Sequence, residues 1–160
     1  MKHTKTRRSV FETNSSSTHS ISIASGAETL DTLPMENGVV AIEGGEFGWE
    51  VNDYYDACSK ASYCMTWAFQ YGTEEHREML KRVIQQRTGA DKVVLRQGDD
   101  SYYPNGYIDH QSDDVCKEAF KSEKSLRDFI FDPRSWFHTC NDNGGCSRCD
   151  EEYEKKYGNN

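Results

Sequence analysis

The stretch HTCNDNGGCSRC places His138, Cys140, Cys146 and Cys149 within twelve residues of one another. Zinc takes four nitrogen or sulfur ligands at tetrahedral corners, and a Cys-x-x-Cys turn delivers two thiolates from one tight loop. His138 and Cys140 stand two apart, so on a strand they project to the same side. The Gly144-Gly145 pair lets the backbone turn between the two halves. A complete set of four ligands leaves no open coordination position, so the expected ion is a structural zinc; reduced surface thiols are the alternative reading.

Two further groups carry polar chemistry. In YIDHQS, Asp109 and His110 are neighbours at a predicted strand end, and Ser112 follows just before a predicted helix N-terminus, where an anion can be received. Asp beside His suits general acid–base work near neutral pH or ligation of a divalent metal; a turn in which Ser112 only caps the helix is the plainer reading. In FETNSSSTHSISI, Asn14, Ser15, Ser16, Ser17, Thr18, His19 and Ser20 offer many hydrogen-bonding groups without positive charge, which suits a phosphate or a base edge at close range. His19, at the end of that loop, could act as a base toward a hydroxyl. The stretch lacks the lysine and glycines of a P-loop, and a Ser-rich turn is again the alternative.

These groups need a scaffold. Arg7 to Glu12 and His19 to Ala24 read as strands flanking the Ser-rich loop. VVAIEGGEFGWEV reads as a hairpin, with Val39 to Ile42 on one arm, a Gly44-Gly45 turn, and Phe47, Trp49 and Val51 alternating on the other. Helical spacing begins near Asp53 and runs to Gly72, putting Cys58 and Cys64 near the buried stripe. Thr73 caps a second helix, with Glu74 and Glu75 at its positive end and Gly89 as its stop. Lys92 to Arg96 is a short strand and QGDDSYYPNG a loop. Leu126, Phe129 and Ile130 mark a short helix before Pro133, and Ser135 to Thr139 a last strand. The expected fold is α+β, a mainly antiparallel sheet with helices packed on one side and a small zinc-binding loop near the C-terminus. A chain of 160 residues fits one domain, residues 1–149, followed by a charged tail, 150–160.

Composition narrows the function. The net charge of -8 opposes tight binding to long duplex DNA. The charge is segregated: positions 31 to 59 hold seven carboxylates, positions 97 to 114 hold five, and neither block contains Lys or Arg. Such blocks are a solubilising surface, a metal-binding surface or a face for a basic partner. The basic start, MKHTKTRRSV, is not followed by an apolar segment, and no run is long enough to span a bilayer, so a cytoplasmic location is expected and membrane partners are not. In a reducing compartment the six cysteines read as thiols or metal ligands.

RRSVFETNSSSTHSI, GYIDHQS, and FIFDPRSW followed by NDNGG resemble segments of an uncharacterised family of bacteriophage and prophage proteins. The resemblance implies a phage context, inside an infected bacterium, and carries no activity with it. Taken together, the three polar islands point to one shared site built from Ser15, Ser16, Ser17, His19, Asp109, His110, Asn141 and Asp142. The expected function is binding or hydrolysis of a nucleotide or short nucleic-acid phosphodiester, with a divalent ion as a possible participant. The alternative is a non-catalytic acidic inhibitor that docks on a host or defence protein through Phe47, Trp49, Tyr54, Tyr55, Tyr102, Tyr103 and Tyr107.

Overall fold

The computed structural model describes residues 5–8, 17–48, 50–99, 101–108 and 116–141, with the backbone alone for 5–8, 17, 18 and 141. The elements run β1 (Lys5–Arg8), β2 (Ser17–Ile23), β3 (Val39–Glu43), β4 (Glu46–Phe47), β5 (Asn52–Tyr54), α1 (Ala57–Gln70), α2 (Glu74–Thr88), β6 (Lys92–Arg96) and β7 (Tyr107–Ile108). A 3-10 turn at Ala119–Lys121, α3 (Glu123–Phe131) and β8 (Trp136–Asn141) complete them. The class is α+β: a four-stranded antiparallel sheet in the order β1-β2-β8-β5, accompanied by the pairs β3-β6 and β4-β7.

The helices start and stop where local chemistry directs. The Asp56 carboxylate accepts the Ser59 N–H at 2.8 Å and caps α1. Ahead of α2, the Thr73 N–H donates to Nδ1 of His76 at 3.0 Å, and Gly89, at φ 72°, ends the helix in the left-handed conformation. The Ser122 hydroxyl accepts the Ser125 N–H at 3.0 Å to open α3. Helix α1 is buried on nearly every side, through Lys60, Ala61, Tyr63, Cys64, Met65, Trp67 and Ala68. It is the central post of the molecule: Tyr63 stacks on Phe137 of β8 with ring centroids 4.1 Å apart, and Leu126, Phe129 and Ile130 of α3 fill the same core.

Three expectations are corrected. The Val39–Val51 hairpin does not form: β3 pairs in parallel with β6, and β4 in parallel with β7, so among the described strands antiparallel pairing is confined to the four-stranded sheet. The Gly44-Gly45 pair serves close approach instead of a hairpin turn. A Cβ on Gly44 would lie 2.0 Å from the Asn105 carbonyl oxygen, and one on Gly106 would lie 2.4 Å from the Gly45 oxygen. At this crossing the Tyr107 N–H donates to the Gly45 carbonyl at 2.8 Å, and the Gly45 N–H donates to the Thr66 hydroxyl at 3.0 Å. The segment from Asp53 is also not helical at its start: Asn52–Tyr54 is an edge strand on β8, because Tyr54 stacks on Phe137 at 4.4 Å. Finally, β2 begins at Ser17, so the strand takes in residues expected in the Ser-rich loop.

The FDPRSW segment turns the chain from α3 into β8 over a buried polar network. Lys60 of α1 is fully buried, and its ammonium donates to the carbonyls of Asp132 and Ser135, each at 3.0 Å. Arg134 grips the Asp132 carboxylate through Nη2 at 2.7 Å and Nε at 3.0 Å. Ser135 donates to the Asp128 carbonyl at 2.7 Å and accepts the Ala24 N–H at 2.9 Å. The Lys60, Asp132, Arg134 and Ser135 side chains all have partners here, which is what burial of polar atoms demands. The resemblance-bearing FDPRSW motif is accounted for by this turn.

Candidate functional site

The seam between β2 and β8 joins the first and last polar islands. Its antiparallel register sets Ser17 opposite Asn141, Thr18 opposite Cys140, His19 opposite Thr139 and Ser20 opposite His138. On the far side of β8, Asp53 of β5 stands opposite His138. A single row therefore crosses three strands in the order Asp53, His138, Ser20. In this row Nδ1 of His138 lies 2.6 Å from Oδ1 of Asp53. A carboxylate only accepts, so in this contact Nδ1 of His138 is the donor. His138 and Cys140 are both buried, on the same face of the strand.

The other face of the seam belongs to the core. His19 is fully buried, and its Nδ1 lies 2.9 Å from the Tyr63 hydroxyl. The expectation of a base at a loop end is corrected: His19 is a strand residue enclosed against α1. Burial, with the Cys116 and Cys64 thiols nearby, pushes the Tyr63 phenol well above its usual pKa. Tyr63 therefore stays neutral as His19's partner. Thr139, facing the same way, donates its hydroxyl to the Glu50 carbonyl at 2.7 Å.

The central island is approached through β7. Gln70 at the end of α1 holds Ile108 by both backbone groups, accepting its N–H at 2.7 Å and donating to its carbonyl at 2.8 Å. Strand β7 runs alongside β4 in the same direction. Asp109, His110 and Ser112 lie outside the described residues, as do Asn14, Ser15, Ser16, Asp142, Cys146 and Cys149. Of the expected site, the structure brings together Ser17, His19, His138, Cys140 and Asn141 on two neighbouring strands. Sequence reasoning missed Asp53 and Tyr63 as neighbours of this seam. Asp53 sits in a stretch whose spacing reads as helical, and only its pairing with β8 makes it a neighbour of His138.

Elsewhere, Cys64 and Cys116 are buried with sulfurs 4.0 Å apart, and Cys58 is an exposed thiol. A cleft of about 380 Å³ at the start of α3 is lined by Lys121, Lys124, Ser122 and Ser125; both lysines are paired, with Glu118 at 2.8 Å and Asp128 at 2.5 Å. Among the described residues no helix is long and apolar enough to cross a membrane. No family model matches the chain, and no curated protein or solved structure matches it either.

Proposed function

We propose that this chain is a small phage-derived protein that binds or hydrolyses a nucleotide or a short nucleic-acid phosphodiester at the Ser17–Asn141 end of the β2–β8 seam. The observation that carries the reading is the register of that seam, which puts Ser17 against Asn141 across a sequence separation no local signal bridges. The course of β7 beside β4 adds support, since shortly past β4 the Glu50 carbonyl receives the hydroxyl of Thr139. In this reading Ser15, Ser16, Ser17, Asn14 and Asn141 hold the phosphate, Ser112 and Asp142 contribute polar contacts, and Asp109 with His110 supplies acid–base chemistry, with or without a divalent ion. His19 and Tyr63 position the strand beneath it. The protein works in the cytoplasm of the infected cell.

The first test is native mass spectrometry of freshly purified protein, which should reveal a retained nucleotide, followed by hydrolysis assays on short oligonucleotides and bis(p-nitrophenyl) phosphate. Removing a general acid or base costs roughly 10²- to 10⁴-fold in rate. His110→Ala and Asp109→Asn should each lose about 100-fold or more while melting like the parent. Full activity in both variants would overturn the assignment.

A second reading has its own observation. Tyr102 is 87% exposed, Tyr55 and Tyr103 are each 46% exposed, and all three lie within or beside the acidic blocks. Exposed aromatics amid carboxylates suit docking on the basic groove of a host or defence protein, with no catalysis.

A further inference from the structure

Cys64 and Cys116 meet in the core across a sequence separation of 52 residues. Both are fully buried, and the Cys116 thiol donates toward the Cys64 sulfur across 4.0 Å. Independent contacts hold the two elements that carry them. Cys64 and Trp67, three apart, share a face of α1, and Trp67 stacks on Phe120 of the 3-10 turn with ring centroids 5.0 Å apart. The Ser125 hydroxyl donates to the Glu118 carbonyl at 2.9 Å and fixes that turn to α3. The packing around the two sulfurs therefore keeps them side by side. Among the described residues no third metal-binding side chain joins the pair, and the chemistry these two thiols can do alone is with each other.

We infer that Cys64 and Cys116 are a latent disulfide: oxidation by a small disulfide such as oxidised glutathione joins the two sulfurs and ties α1 to the segment leading into the 3-10 turn. One cysteine thiolate attacks the small disulfide and expels a first glutathione thiolate; the other cysteine thiolate then attacks the mixed disulfide at the protein sulfur and expels the second. Two electrons pass from the protein to the glutathione, and the two cysteine protons end on the two glutathione thiols. A disulfide holds its sulfurs about 2.0 Å apart, and rotation about the two Cα–Cβ bonds is the scale of movement that closes the gap from 4.0 Å. The mixed disulfide has no room in the close-packed core, so exchange takes place in an opened chain. Burial also pushes the Cys116 thiol well above its usual pKa, which keeps it protonated and unreactive once folded. The pair therefore retains the redox state in which the chain folded, reduced in a reducing compartment and joined in an oxidising one. This inference stands apart from the proposed activity.

The test uses the full chain, unfolded in urea with dithiothreitol, freed of reductant and refolded in mixtures of reduced and oxidised glutathione. Acid quenching, alkylation and peptide mapping by mass spectrometry then read which cysteines are joined. The Cys64 and Cys116 peptides should be recovered linked, and at one glutathione mixture their linked-to-free ratio should be about 10-fold or more higher in the folded chain than in urea. Folded, reduced protein given oxidised glutathione without urea should form the link far more slowly, while the exposed thiol of Cys58 is modified; equal rates with and without urea would overturn the retention of redox state. Cys58→Ser should leave the Cys64–Cys116 link unchanged, and Cys64→Ala should return the Cys116 peptide alkylated. Both peptides free in every mixture, either cysteine joined elsewhere, or a ratio no higher in the folded chain than in urea overturns the inference. If Cys64→Ala does not fold, the ratio in the parent still decides.

Discussion

Lys60 shows how one residue reports on the whole core. Its ammonium lies in the interior, where desolvation lowers its pKa to about 8, even though Asp31, Asp132 and Asp56 pull the other way. In the unfolded chain the same group titrates near ~10.4. Between those values the unfolded state binds the extra proton, so this residue makes stability rise with pH from about 8 to about 10. Cys116, Tyr63 and Cys58, whose folded pKa values are raised, act in the opposite sense as their unfolded forms ionise, so the parent curve alone mixes several groups. The comparison with Lys60→Met isolates the lysine. That variant strands the buried carbonyls of Asp132 and Ser135 and should cost about 1–3 kcal/mol near neutral pH. In urea titrations the gap between parent and variant should widen from pH 8 to pH 10; a constant gap would refute the assignment. Asp132 is the complementary case: the Arg134 side chain holds its carboxyl below the usual range, so its contribution is present above an unfolded pKa of about 3.9 and fades as pH falls through the lower folded value.

At the scale of elements, the glycine crossing and the β2–β8 seam decide the architecture. Gly106 has φ 82° and meets the Gly45 backbone too closely for any Cβ. Gly106→Ala therefore adds a left-handed-region cost and a backbone clash, expected to total more than about 2 kcal/mol. Urea unfolding measures it, and a loss under about 0.5 kcal/mol would mean that the crossing is loosely held. Helix α2, strand β6 and the core of α3 were legible in the sequence because their signals are local: Thr73 and Gly89 bracket one helix, and Leu126, Phe129 and Ile130 recur at helical spacing in another. Strand β5 was not. Its residues match a helical pattern as well as a strand, and the stack of Tyr54 on Phe137 settles the matter from far along the chain. The parallel pairing of β3 with β6 was equally hidden, since a Gly-Gly pair between two apolar runs reads locally as a hairpin.

For the molecule as a whole, charge and exposed aromatics bear on partners. If the acidic blocks dock on a basic protein, Glu43→Lys with Glu46→Lys, or Tyr102→Ala, should weaken capture of that protein and its salt dependence, while His110→Ala should not. Unaltered capture after charge reversal would remove the docking reading and leave the nucleotide site. The amino-acid sequence by itself determined the α+β class, the Thr73 and Gly89 boundaries of α2, the acidic character and the polar islands, because composition and short-range spacing encode those directly. Only the tertiary structure decided that His19 is enclosed against Tyr63, that Asp53 reaches His138, and that Ser17 faces Asn141. Each of these is a contact between elements distant in sequence, fixed by strand register or by the shared core around Phe137, and no local pattern carries that information.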